Sequence, residues 1–345
     1  MGTRARGSSA LAFFVVLGSC TGTPPGAIDW TMGRVIAVDV PATMLEDGGE
    51  TLDLCYALTL HNDVPIYVSQ VAMHGTTGVH HSNWFYVPDF YFDGDDGLFS
   101  CAERHFDPSG AATHGGVLFA QSTQATDETM SFPAGDALMV PANARFVVNL
   151  HYVNYSGGPL TPEISLRVRT VSESDVTTRL HGFAFQYDDL HIAPRTSSEF
   201  TVDCDLDATS RRSLGHPLDF GIHYVLPHYH SFGTYLRLGI VGGPHDGATI
   251  WEADSRIGEP LGSPISPPAD LTGATGIRLT CRYDNPGDTE ILWGNGGGEM
   301  CIAFGYSDSP NLWANVGGSG TITGTSGGVT RATASCTVIT ARPPL

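Results

Sequence analysis

Histidines set in close pairs are the residues of this chain best suited to chemistry. In the stretch from Gly221 to Tyr235 the centre is His228-Tyr229-His230, a His-x-His pair. Residues two apart in an extended segment share a face, so both imidazoles can reach one metal ion. Ile222, Tyr224, Val225 and Leu226 favour a strand here, while Pro227 has no N–H and points to a strand end or edge beside irregular backbone. A second group is the adjacent pair His80-His81. Neighbouring side chains on a regular strand face opposite ways, so both can bind one ion only at a strand end or bulge. The glycines at Gly75 and Gly78 supply backbone of that kind. His151 sits in the β-prone run from Arg145 to Val153 and would complete a three-histidine site with His80 and His81. For His228 and His230 the candidate third ligand is Met300. A thioether is a soft donor that suits reduced copper better than zinc or magnesium. A His₂Met site with an open position would suit dioxygen binding, although core packing is the usual fate of a methionine.

These residues need rigid strands to position them, and the composition supplies strands. The chain has 345 residues, enough for two domains that each bury a core. Hydrophobic residues make up 41% and charged residues 15%, which is globular rather than disordered. The 42 Gly and 22 Pro punctuate short apolar runs such as Arg34 to Val40, Asp53 to Leu60 and Pro65 to Ala72. No segment keeps helical periodicity for long, so the pattern is all-β, of the sandwich or jelly-roll kind. Thr161 to Thr170 reads as the last strand of a first domain and Val171 to Thr178 as a polar linker. A second run of strands opens at Arg179 and continues to Thr340. The expected division is 29–172 and 179–345, two consecutive antiparallel β-sandwich domains.

The net charge of −19 argues against nucleic acid and against electrostatic docking on anionic lipid. All 17 basic residues are arginine, which excludes mechanisms built on a phosphate-loop lysine or a lysine Schiff base. At the N-terminus, Arg4 and Arg6 precede the apolar run Leu11 to Gly18 and then Ser19-Cys20. That run is too short to anchor in a bilayer and reads as a bacterial signal peptide over residues 1–19. Leu17-Gly18-Ser19-Cys20 is similar to a lipobox, in which Cys20 would be acylated, with residues 20–28 as a tether; simple secretion is the alternative. The expected location is therefore outside the cytoplasm, lipid-anchored at the outer membrane, with no other membrane attachment. Six further cysteines, Cys55, Cys101, Cys204, Cys281, Cys301 and Cys336, suggest three disulfides in an exported chain.

Taken together, His80-His81, His151, His228-x-His230 and Glu299-Met300-Cys301 resemble the ligand motifs of the copper type II, ascorbate-dependent monooxygenases. About seventy residues separate His81 from His151, His151 from His228, and His230 from Met300, and the order agrees. The stretch from Arg278 to Asn285 adds to the likeness, which covers most of the mature chain. The resemblance implies two nine-stranded, jelly-roll-like domains, each holding one copper across a solvent-filled cleft. It implies that His80, His81 and His151 hold an electron-storing copper. It implies that His228, His230 and Met300 hold a second copper that binds O2 and hydroxylates a C–H bond, with ascorbate or another one-electron reductant. The family's cysteine positions imply Cys55–Cys101, Cys281–Cys301 and Cys204–Cys336. Amidating members carry an Arg two residues before the His-x-His pair, an Asn two residues after the Met and a Tyr four after it. Here these are Leu226, Ile302 and Phe304. A glycine-extended peptide is therefore not the expected substrate, and another small molecule or peptide is. The alternatives are a non-catalytic copper-binding lipoprotein on the same scaffold and, further off, a metal-free adhesion or carbohydrate-binding module.

Overall fold

Short alternating runs separated by glycine-rich turns fold here as strands, and two kinds of strand result. Ile164–Val171 alternates buried and exposed residues, as a strand with one wet face must. Ala144–Val153, Val79–Pro88, Gly221–His228 and Ile302–Ser307 are instead buried along nearly their whole length. These four lie between a core on one side and the other half of the molecule on the other. In the computed structural model, residues 31–91, 94–121, 125–254, 262–294 and 297–342 are described. The signal peptide, Cys20 and the tether lie outside them.

The fold is all-β, with two consecutive sandwiches. In the first half a five-stranded sheet carries Ala144–Val153 at its centre, flanked by Glu50–Thr59 and Val79–Pro88. In the second half a six-stranded sheet is built around Gly276–Asn285 and Thr196–Asp205. The partner layer of both halves is one continuous sheet of eleven strands. The halves are joined where Asp136–Leu138 pairs in parallel with Thr178–Leu180. Separate sandwiches connected by a polar linker are thus replaced by sandwiches that share a sheet. The segment read as a linker is also tied down: Tyr67 donates to Glu173, which pairs with Arg179. Two apolar cores follow the two halves, but the first also takes in Tyr224, Leu226, Ile302, Phe304 and Tyr306 from the second.

Three disulfides form, Cys55–Cys101, Cys204–Cys336 and Cys281–Cys301. The last ties the residue after Met300 to the back sheet of the second half. No helix among the described residues is long and apolar enough to cross a membrane.

Candidate metal centre

Parity along two strands decides what faces the centre. In the pairing of Val79–Pro88 with Ala144–Val153, His81 lies opposite His151, Asn83 opposite Asn149 and Phe85 opposite Val147. The alternate residues Trp84, Tyr86, Val148 and Leu150 are fully buried in the first core. One face is therefore apolar, while the other carries histidines, then amides, then an apolar pair. A register shift between Val79 and His81 supplies the bulge needed for adjacent histidines to converge. Ligand nitrogens of His80, His81 and His151 lie within 4.8 Å of one another.

The second half contributes His228, the last residue of its strand, and His230 just beyond it. The neighbouring edge strand pairs only with Gly221–Val225, so Pro227 stands where its missing N–H costs nothing. Ring centroids of His228 and His230 are 5.2 Å apart. His81 stacks on His230 at 5.3 Å and meets His228 edge-on at 5.7 Å. The five imidazoles form one cluster rather than two groups across a solvent-filled cleft. The cause is the packing of strands buried on both faces, which brings rings from the two halves into contact at this point.

The hydrogen bonds select which nitrogen of each ring is available. His228 Nδ1 donates to the Gln121 carbonyl at 3.1 Å and His230 Nδ1 to the Gly298 carbonyl at 2.8 Å. His151 Nε2 donates to Glu50 Oε1 at 2.7 Å. The opposite atoms, His228 Nε2, His230 Nε2 and His151 Nδ1, are buried and accept no hydrogen bond, as are both nitrogens of His81. Buried polar atoms of native proteins almost always have partners, so a group of unpartnered nitrogens on four neighbouring rings fits a bound metal. Burial, with neighbouring rings second, holds His80 down to about 4 and His228 to about 3 and lowers His81; burial also lowers His230, partly offset by its bond to Gly298. Neutral imidazole is the form that ligates.

Met300 is half-buried and linked to the pair through Glu299. The fully buried Glu299 carboxylate accepts the backbone amides of His230 at 2.8 Å, Phe232 at 2.7 Å and Met300 at 3.2 Å. Burial lifts this carboxyl to about 7, against the amide bonds that favour its charged form. Tyr283 donates to the Met300 carbonyl at 2.6 Å. Glu299 stands in the sequence motif without a role of its own, and Glu50, Gln121 and Gly298 stand in no motif. Two nearby histidines lie apart from the cluster: His74 pairs with exposed Asp127, and His223 bridges Asp136 and Asp308.

No family model matches the chain, and no curated protein does. Among solved structures it is similar to the major capsid protein P2 of bacteriophage PM2, with 8% identity and a TM-score of 0.27, over 79% of this chain and 97% of that one. It is also similar to the infectious bursal disease virus VP2 subviral particle, with 12% identity and a TM-score of 0.16, over 80% of this chain and 70% of that one. Likenesses this distant carry no argument about function.

Proposed function

We propose that the chain is a copper-dependent monooxygenase that hydroxylates a C–H bond of a small molecule or peptide. The observation that carries the reading is the convergence of five imidazoles, four of them buried and with orphaned nitrogens, beside a methionine fixed by Glu299. The donor set is all imidazole and thioether, which favours copper over hard cations. His80, His81 and His151 would hold one ion; His228, His230 and Met300 would hold the other. When bound, copper supplies the redox chemistry by which O2 and two electrons from ascorbate or a similar reductant insert one oxygen atom and release the other as water. The chain's own part is positioning. Gln121, Gly298 and Glu50 lock the ring tautomers, Glu299 gathers the turn, and the apolar strands exclude water. Export and a lipid anchor at Cys20 belong to the same proposal, since disulfides form in oxidising compartments.

The second reading is a copper-binding protein without catalysis. The stacking of His81 on His230 favours it, because that contact closes the space between the two ligand sets. Elemental analysis of the full chain, with oxygen uptake under ascorbate, separates the two. Two coppers per chain are expected, with substrate-dependent uptake that falls at least tenfold in Met300→Ile. Fewer than two coppers at saturation rejects the two-site assignment. Two coppers with no uptake across a broad substrate panel selects the binding protein.

A further inference from the structure

On the outer face of the second half's back sheet, the side chains fall into rows that cross the strands. Pairing sets Arg237, Thr280, Thr201, Thr333 and Thr321 side by side on five neighbouring strands. Residues two apart along a strand share a face, so the flanking rows on this face are two positions away. One flanking row holds Tyr235, Arg282, Glu199 and Arg331, and the other holds Arg278 and Asp203. Short threonines thus lie between two lines of longer side chains. The result is a groove across the strands, with a cavity of about 360 Å³ lined by Thr201, Thr280 and Thr333. At about 4.8 Å per strand the row of five is about 19 Å long. The alternate residues Phe200, Val202, Leu279 and Cys281 are buried in the second core with Phe185, Val225 and Ala303 of the shared sheet. The groove therefore lies on the far side of that core from the shared sheet.

The charges that border it are already matched. Glu199 accepts from Arg282 at 2.6 Å and from Arg331 at 3.1 Å, and Asp203 holds Arg278 by two bonds of 2.6 Å. Arg237, at one end of the floor, lies beside Glu252. Such pairs fix each guanidinium while leaving it further N–H donors, and the carboxylates keep acceptor capacity. On the floor the hydroxyls of Thr201 and Thr280 are 3.1 Å apart, and each can donate or accept. Donors and acceptors are therefore interleaved along the groove. An anion would compete with Glu199 and Asp203 for the arginines, and a cation would compete with the arginines for the carboxylates. A ligand rich in hydroxyls and free of charge meets neither competitor.

We infer that this groove binds a neutral, extended polysaccharide chain laid across the strands, its hydroxyls bonded to the threonine floor and the ion-paired walls. The floor crosses the strands in one line, which suits an extended chain rather than a coiled one. The site needs no metal and stands apart from the copper reading.

Calorimetric titration of the full chain tests this with cellohexaose (neutral, extended), maltohexaose (neutral, coiled) and hexagalacturonate (anionic). Cellohexaose should bind at least about tenfold more tightly than either of the others. Thr201→Tyr and Thr333→Tyr raise β-favouring side chains from the floor and should each weaken cellohexaose about tenfold, with circular dichroism unchanged. Thr333 is exposed, so its variant tests the block even where Thr201→Tyr disturbs folding. Thr201→Ser keeps a hydroxyl at the same depth and should retain binding. Glu199→Gln removes the charge that matches Arg282 and Arg331 and should strengthen hexagalacturonate binding, which a merely structural Glu199 would not do. Absence of cellohexaose binding, equal or tighter binding of either other hexasaccharide, or unchanged binding in Thr333→Tyr overturns the assignment.

Discussion

At the scale of single residues, the centre depends on partners that hold each imidazole in one tautomer. His151 illustrates it: the Nε2–H is committed to Glu50, so Nδ1, buried and without a hydrogen bond, keeps its lone pair. A carboxylate behind a ligating histidine also raises the ring's basicity. Glu50→Gln keeps an acceptor but removes the charge. Metal affinity measured by chelator competition should fall about 10- to 100-fold, with the fold unchanged by circular dichroism. The histidines themselves were legible from their spacing. Their partners were not, because Gln121 and Gly298 act through backbone carbonyls, which any residue possesses. Glu50 lies 101 residues from His151 and reaches it only through strand pairing.

At the scale of elements, the strands that matter are those buried on both faces, and the turn that matters is held by Glu299 and a disulfide. Cys281 belongs to the strand Gly276–Asn285, whose partners on both sides form the back sheet. Its bond to Cys301 fixes the chain immediately after Met300 and closes a loop with a sequence separation of 20. Replacing both cysteines by alanine should cost about 3 kcal/mol of stability by the loop-entropy argument, read as a lower denaturant midpoint with a steeper slope as the unfolded chain opens. The strands were legible from alternation and from β-branched and aromatic runs. The bulge at His80 was legible as a requirement of the chemistry, since nothing else lets adjacent histidines share an ion. The short helices Pro108–His114 and Leu206–Ser213 were not, because at 7 and 8 residues neither leaves a sustained helical period.

At the scale of the whole molecule, the sequence pattern led to two sandwiches, and the shared sheet was beyond it. Parallel pairing of Asp136–Leu138 with Thr178–Leu180 depends on which strand edges remain open after each half folds, and alternation says nothing about that. The seam carries its own charge group. His223, from the second half, has Nδ1 2.8 Å from Asp136 of the first half and Nε2 3.3 Å from Asp308. Burial pulls its pKa down, but Asp308 and Asp136 more than offset this and leave it raised. Asp308 is lowered: burial raises it, and the hydrogen bonds from His223 and Gly221 outweigh that. A raised histidine stabilises fully below its unfolded pKa of about 6.5, and that share is lost as pH rises through the folded value. A lowered aspartate contributes above about 3.9, and its share is lost as pH falls through the folded value. The melting-temperature gap between the native chain and Asp136→Asn should therefore be widest in mildly acidic solution and shrink above neutrality. A gap that stays constant from pH 5 to 9 counts against a charged His223.

The continuous sheet has one more consequence, for anyone who divides the chain. A cut between Val171 and Thr178 would leave Asp136–Leu138 as an open strand edge on one fragment and Thr178–Leu180 as its open counterpart on the other. Such edges recruit further strands from neighbouring molecules. The tyrosines and phenylalanine now shared with the first core, Tyr224, Tyr306 and Phe304, would become solvent-facing at the same stroke. Fragments of this protein are therefore candidates for polymers, and its halves are better regarded as two ends of one folding unit than as modules to be exchanged.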